Sequence, residues 1–128
     1  MNLLLDTHTL LWFILDDPRL SANAKETVIS TDGPVFISPA SFWETAIKIS
    51  LGKYALPVPF KDFWEEQLTA NDFSLLPISM AHCARVAILP FYHRDPFDRL
   101  IIAQALADDI AIVGKDNMFD SYGVKRIW

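Results

Sequence analysis

Four carboxylates stand at positions where chemistry is expected of them: Asp6, Glu44, Asp98 and Asp116. Asp6 directly follows the apolar run Leu3-Leu4-Leu5, and Asp116 lies three residues past Val113, where another apolar run ends. Asp98 falls in a helical stretch. At about 100° per residue it shares a face with Ile101, Ile102 and Ala105, which points it inward among apolar side chains. A carboxylate in the first turn of a helix gains roughly 0.3–1 kcal/mol from the dipole, and that gain does not account for the choice of an apolar face. Glu44 sits at the boundary of its helix's apolar face, beside Ala40, Ile47 and Leu51, with Lys48 one turn on.

Each acid has an ordinary alternative. Asp6 and Asp116 suit helix N-caps, and Glu44 with Lys48 makes a surface pair worth about 0.2–0.5 kcal/mol. The set is what argues for chemistry. Two carboxylates about 4 Å apart repel by roughly 4 kcal/mol at an effective dielectric near 20, so four around one crevice need protons or a cation between them. Hard oxygen donors without Cys or clustered His select Mg²⁺, with Mn²⁺ second, over Zn²⁺. Mg²⁺ retains waters and leaves room for a phosphate oxygen, and the chemistry that fits is metal-assisted hydrolysis of a phosphodiester.

Such a site needs a scaffold that joins four distant segments. Leu3–Leu5 and Val35–Ile37 read as buried strands, Ser74–Ile78 as a third, Ile110–Val113 as a fourth, and Val124–Trp128 as a fifth at an edge. Between them, Thr7–Leu15 reads as a nearly all-apolar helix stopped by Asp16-Asp17-Pro18, and Ser21 caps a second helix running to about Ser30. Ser38-Pro39 starts a helix that Gly52 ends. Further helices are expected over Phe60–Asn71, Ser79–Ile88 and Pro96–Asp109, the last capped by Asp95. Alternation of this kind predicts an α/β fold, with a mainly parallel central sheet of four to five strands flanked by helices. The strands are continuous apolar runs, as a sheet covered on both faces requires. Ligands of such sheets bind outside the carboxyl ends of the strands, which is where Asp6 and Asp116 fall.

The 128 residues suffice for one domain, 1–128, with no linker or repeat dividing it. A hydrophobic fraction of 52% excludes a disordered chain. Cys83 is the one cysteine, so an internal disulfide is excluded and a reducing, cytoplasmic setting is expected. Asp6 and His8 interrupt the apolar start, which therefore fits neither a signal peptide nor a membrane span. The net charge of −5 argues against passive binding to nucleic acid. It does not argue against a nuclease whose acids hold cations.

These residues carry a resemblance that runs the length of the chain. Leu-Leu-Leu-Asp6-Thr-His, Trp43-Glu44, His93-Arg94-Asp95-Pro96-Phe97-Asp98-Arg99-Leu100, Lys115-Asp116 and Phe119-Asp120-Ser-Tyr-Gly-Val together resemble a PIN-domain ribonuclease of the VapC toxin type. Asp-Pro-Phe-Asp-Arg is the most specific piece. The resemblance implies a Mg²⁺-dependent endoribonuclease, with Asp6, Glu44 and Asp98 holding a metal ion and Asp116 completing the site or binding a second. It also implies an RNA substrate, a cognate antitoxin and a homodimer. One departure stands out: the family often has Thr or Ser two residues before the fourth acid, where this chain has Gly114.

Arg94, Arg99, Lys115, Lys48 and His93 lie near the acids in sequence and are candidates for a basic rim that holds phosphates. For Lys48 ordinary helix-surface charge is the favoured reading, and for Arg99 pairing with a carboxylate is the alternative. Apolar residues crowd Leu10 to Leu15 and recur at Phe42, Trp43, Phe60, Phe63 and Trp64, most of them as core. A first helix apolar almost all round implies full burial or an interface. Three rivals remain. A phosphatase of the haloacid-dehalogenase type needs an Asp where His8 stands, and a receiver domain needs an acid pair after the first strand that is missing. A catalytically inactive binding or scaffold protein would have lost an acid, and all four are present.

Overall fold

Leu3, Leu4 and Leu5 are completely buried and form the middle strand of a five-stranded sheet. The computed structural model describes residues 1–128. Its strands are β1 (Leu3–Leu5), β2 (Val35–Ile37), β3 (Phe73–Leu75), β4 (Ala111–Val113) and β5 (Arg126–Ile127). They lie in the order β3-β2-β1-β4-β5, and every neighbouring pair is parallel. The helices are α1 (Thr7–Ile14), α2 (Ala22–Ser30), α3 (Pro39–Ser50), α4 (Phe60–Ala70), α5 (Met80–Ala87) and α6 (Pro96–Asp108), followed by a 3-10 helix over Asn117–Tyr122. The architecture is α/β with a parallel sheet, as expected.

Side chains alternate across a strand, and β1 shows the result. Leu3 and Leu5 enter a core with Leu10 of α1, Val28 of α2 and Trp64 of α4, whereas Leu4 joins Ile101 and Ile102 of α6 and Phe119 on the opposite face. Full burial of a Leu or Ile contributes about 1.5–3 kcal/mol, so both faces hold β1 and β4 in place. β1 connects to β2 on one side, and β4 returns on the other. The strand order thus reverses at β1, and a crevice opens at the carboxyl ends of β1 and β4.

Two strand boundaries differ from expectation. β3 is Phe73–Leu75, earlier than the expected 74–78, because Pro77 has no amide hydrogen with which to continue the ladder. β5 shrinks to two residues at the edge. Within this chain α1 is covered on one side only: Thr7, Thr9 and Leu10 are buried, while Trp12 to Ile14 are half-buried and Leu15 is exposed. No helix is long and apolar enough to cross a membrane.

Candidate active site

Asp6 leaves the end of β1 as the N-cap of α1, its Oδ1 accepting a hydrogen bond from the Thr9 amide at 2.8 Å. Cap and candidate ligand are therefore the same residue, with one oxygen committed to the helix. Burial pushes the Asp6 carboxyl above its ordinary value, against the lowering effect of the Thr9 hydrogen bonds, and Glu44 adds to the rise. The other oxygen explains the departure at position 114. A Cβ built on Gly114 would stand 2.8 Å from Asp6 Oδ2 and 3.3 Å from the Phe119 ring, so only glycine lets β4 run beside this carboxylate without a shift.

Glu44 is buried on α3. Its Oε2 accepts from Lys48 Nζ at 3.1 Å, the expected pair, but its Oε1 is buried with no hydrogen-bond partner. A buried oxygen of this kind carries the cost of lost hydration. A hydroxyl clasp sets α3 against α1: Thr7 Oγ1 and Ser41 Oγ share a buried hydrogen bond of 2.9 Å. Ser41 lies one turn before Glu44 and Thr7 directly after Asp6, so the clasp ties together the backbones that carry the two acids.

Asp98 stands in the first turn of α6, half-buried. Asp95 takes the capping role, accepting from the amides of Phe97 and Asp98. Burial, then the charges of Asp95, Asp6 and Glu44, push the Asp98 carboxyl up to about 7. The same repulsions that were expected from the residue types thus connect three acids from three elements. An edge-on contact of Trp43 with Phe97, with ring centres 5.3 Å apart, joins the residues preceding Glu44 and Asp98. Trp43 was expected in the core and is instead largely exposed, serving this contact.

Asp116 stands apart from that trio. Its Oδ1 accepts from the Met118 amide, capping the 3-10 helix, and its Oδ2 lies 2.6 Å from His93 Nε2. His93 Nδ1 in turn meets Tyr122 Oη at 3.0 Å. Partial burial works to raise the Asp116 carboxyl, but the hydrogen bonds from His93 and Met118 and the charges of His93 and Arg126 outweigh it and leave the group below its ordinary value. His93 was expected in a basic rim; its direct hold on the fourth acid is visible only in three dimensions.

Arg99 is a correction. It is buried and pairs with no carboxylate; its guanidinium donates to the carbonyls of Pro90 at 2.8 Å, Leu89 at 3.1 Å and Val86 at 3.4 Å, and lies 3.8 Å over the Phe91 ring. It therefore fastens the chain after α5, which leads to His93, and is not part of a phosphate-facing rim. Arg94 and Lys115 are exposed. Thr7, directly after Asp6, is legible in the sequence as a hydroxyl near the site; Gly114 shows only as a departure, and Ser41 gives no sequence signal.

No three His, Cys, Asp or Glu side chains close into a ready-made ligand set. Asp6, Glu44 and Asp98 are electrostatic neighbours, each offering oxygen alone, and one of those oxygens is buried and unpartnered. A cluster of that chemistry suits a hard divalent cation, which would relieve the repulsion and partner the orphaned oxygen.

A family model described as the PIN domain matches residues 3–125. The chain is 29% identical over 122 residues to Ribonuclease VapC22 of Mycobacterium tuberculosis, a match covering 94% of this chain and 92% of that protein. Its fold is similar to VapBC2 from Rickettsia felis bound to a promoter DNA fragment, with TM-score 0.71, 15% identity and coverage of 99% and 98% of the two chains. It is also similar to FitAcB from Neisseria gonorrhoeae, with TM-score 0.66, 20% identity and coverage of 98% and 96%.

Proposed function

The chain belongs to the PIN-domain family, and from that premise we propose that it is a Mg²⁺-dependent endoribonuclease of the VapC toxin type, neutralised by a cognate antitoxin. The observation that carries this reading is that Asp6, Glu44 and Asp98 come from three elements to the carboxyl edge of the sheet, where burial first, and then the charges of Asp95, Asp6 and Glu44, hold Asp98 near 7. A structural role alone would not require charges to oppose one another in a half-buried crevice. The relative named a ribonuclease supports the reaction class, and the VapBC complexes among similar folds support an antitoxin.

In this reading Asp6, Glu44 and Asp98 hold the cation, and Asp116 completes the site or serves a second. The bound ion would supply Lewis-acid stabilisation of charge at the phosphoryl group and make a nearby water more acidic. The chain's own residues do the rest. Lys48 offsets the charge of Glu44, and His93 fixes the direction of Asp116. Exposed Arg94 and Lys115 attract the RNA backbone despite the acidic total. Mn²⁺ can replace Mg²⁺ at an all-oxygen site. An antitoxin would act by covering the crevice and placing a cation of its own among the acids. The protein would work in the cytoplasm as a homodimer, its uncovered α1 side and the exposed Met80, Ile88 and Phe91 offering apolar surface for both contacts.

The test is cleavage of a labelled structured RNA by the purified chain in Mg²⁺, in EDTA, and with Asp6→Asn or Asp98→Asn. Cuts that need Mg²⁺ and vanish in both variants are expected. If no RNA is cut, metal binding measured by calorimetry would mean that the substrate is the wrong one, whereas no metal binding would favour an inactive scaffold. Cutting that survives EDTA and both variants would come from a contaminant and leave these acids without support.

A further inference from the structure

A groove of about 350 Å³ runs between α1 and α3, lined in part by His8, Trp12, Arg19, Lys48, Lys53 and Tyr54. It opens beside the acids: Thr7, next to Asp6, and Lys48, which holds Glu44, both belong to its wall. The chain as a whole carries a charge of −5, yet no carboxylate lines this groove and three cations do. Arg19 shares its charge with Asp17, and Lys48 shares its own with Glu44. Lys53 is exposed and forms no ion pair.

The aromatic lining is ordered as well as basic. The His8 and Trp12 rings stack with centres 5.5 Å apart and planes 18° from parallel, and the Arg19 guanidinium sits 5.2 Å from the Trp12 ring. His8 is exposed, so the stack ends at an imidazole open to solvent. Stacking rings interleaved with cations are what unpaired nucleic acid needs, a π-face for the base and a charge for the phosphate. A groove at the small end of the roughly 300–1,000 Å³ range of ligand sites has room for a single extruded base and not for a duplex. A base inside a helix, moreover, has both faces covered by its stacked neighbours.

We propose that this groove is a subsite for one unpaired nucleotide of the RNA beside the scissile phosphate, with its base extending the His8–Trp12 stack and its phosphate on Lys53. The proposal takes its substrate class from the nuclease reading above. It makes cleavage selective for unpaired segments, because the neighbouring nucleotide must leave its stack to enter the groove.

The test is binding of a fluorescent eight-nucleotide unpaired RNA, followed by anisotropy in Mg²⁺, to the full chain carrying Asp98→Asn, which holds cleavage off. His8→Ala is expected to weaken binding roughly 5- to 100-fold, the range for loss of one stacked base, and His8→Phe to restore it. Lys53→Gln is expected to weaken binding and to lower the slope of log affinity against log salt by about 0.7, one released counterion from a single strand. Both residues are exposed, and urea melts of each variant separate lost binding from lost folding. Parent-like affinity in either His8→Ala or Lys53→Gln, or no RNA binding by the parent, overturns the proposal. So does an acidic 15-residue peptide that depends on both residues while the RNA does not, a result that assigns the groove to a protein partner. Metal-dependent cleavage by the unaltered chain is scored separately, so failure of the groove and failure of the nuclease reading give different results.

Discussion

Replacing Asp98 by Asn should make the metal-free protein more stable, an uncommon direction for a change at a candidate active site. In the folded chain the Asp98 carboxyl ionises at about 7, against 3.8 for the unperturbed group. Between those two values the folded state holds a proton that the unfolded state has released, so stability falls as pH rises through the window from about 4 to about 7. A tenfold change in proton affinity corresponds to about 1.4 kcal/mol, which sets an upper bound of roughly 4 kcal/mol on the penalty above pH 7. Water reaches the half-buried group and screens it, and Asn forgoes about 0.3–1 kcal/mol of helix-dipole stabilisation at the start of α6. The net gain expected for Asp98→Asn is then on the order of 1–3 kcal/mol at pH 8. The assay is urea unfolding in EDTA, with wild type and variant compared at pH 8, 6 and 4. The gain should be largest at pH 8 and vanish near pH 4, where wild type also carries a neutral side chain. Adding Mg²⁺ should reverse the order, since a ligand at 100 times its Kd adds about 2.7 kcal/mol to the form that binds it. A variant that is neutral or less stable than wild type at pH 8 in EDTA would refute the account of an Asp98 carboxyl raised by burial and by the charges of Asp95, Asp6 and Glu44.

Other consequences can be checked with equally small changes. Gly114→Thr should displace Asp6 or Phe119, because its Cβ falls 2.8 Å from Asp6 Oδ2. A cost of about 1–3 kcal/mol in urea melts and weaker Mg²⁺ binding by calorimetry are expected, and unchanged stability and affinity would remove the steric explanation of the glycine. Arg99→Leu strips the carbonyls of Pro90, Leu89 and Val86 of their donor and should cost about 2–4 kcal/mol. Arg99→Lys should recover little of that, since an ammonium lacks the planar fork; full rescue in chemical denaturation would mean that charge alone matters. Thr7→Val keeps the shape but leaves Ser41 Oγ without its partner, for a loss of about 1–2 kcal/mol in thermal melts, and no loss would show the clasp to be dispensable.

Much of the scaffold was legible because its signals are local. Leu-Leu-Leu-Asp announced a buried strand and a cap, Ser38-Pro39 and Asp95-Pro96 announced helix starts, and all three appear where expected. The inward orientation of Asp98 was legible too, from helical periodicity alone. Pro77 could have corrected the end of β3, since a missing amide hydrogen is a property of one residue. The reach of Arg99 was not legible in the same way. Its neighbours in sequence suggested a surface cation, while its partners are carbonyls that come into range only after α5 folds back against α6.

By itself, then, the order of residues determined the alternation of strands and helices, the caps, and the presence of four acids behind strands or on helix faces. These follow from backbone sterics and from periodicity within a few residues. Tertiary structure alone decided which acids oppose one another. The order β3-β2-β1-β4-β5 sets β4 beside β1, the Thr7–Ser41 clasp carries Glu44 toward Asp6, and His93 holds Asp116 to one side. The Coulomb energy of a carboxylate depends on distance and on exclusion of water, and neither quantity exists for these pairs until segments more than twenty positions apart in sequence have packed together.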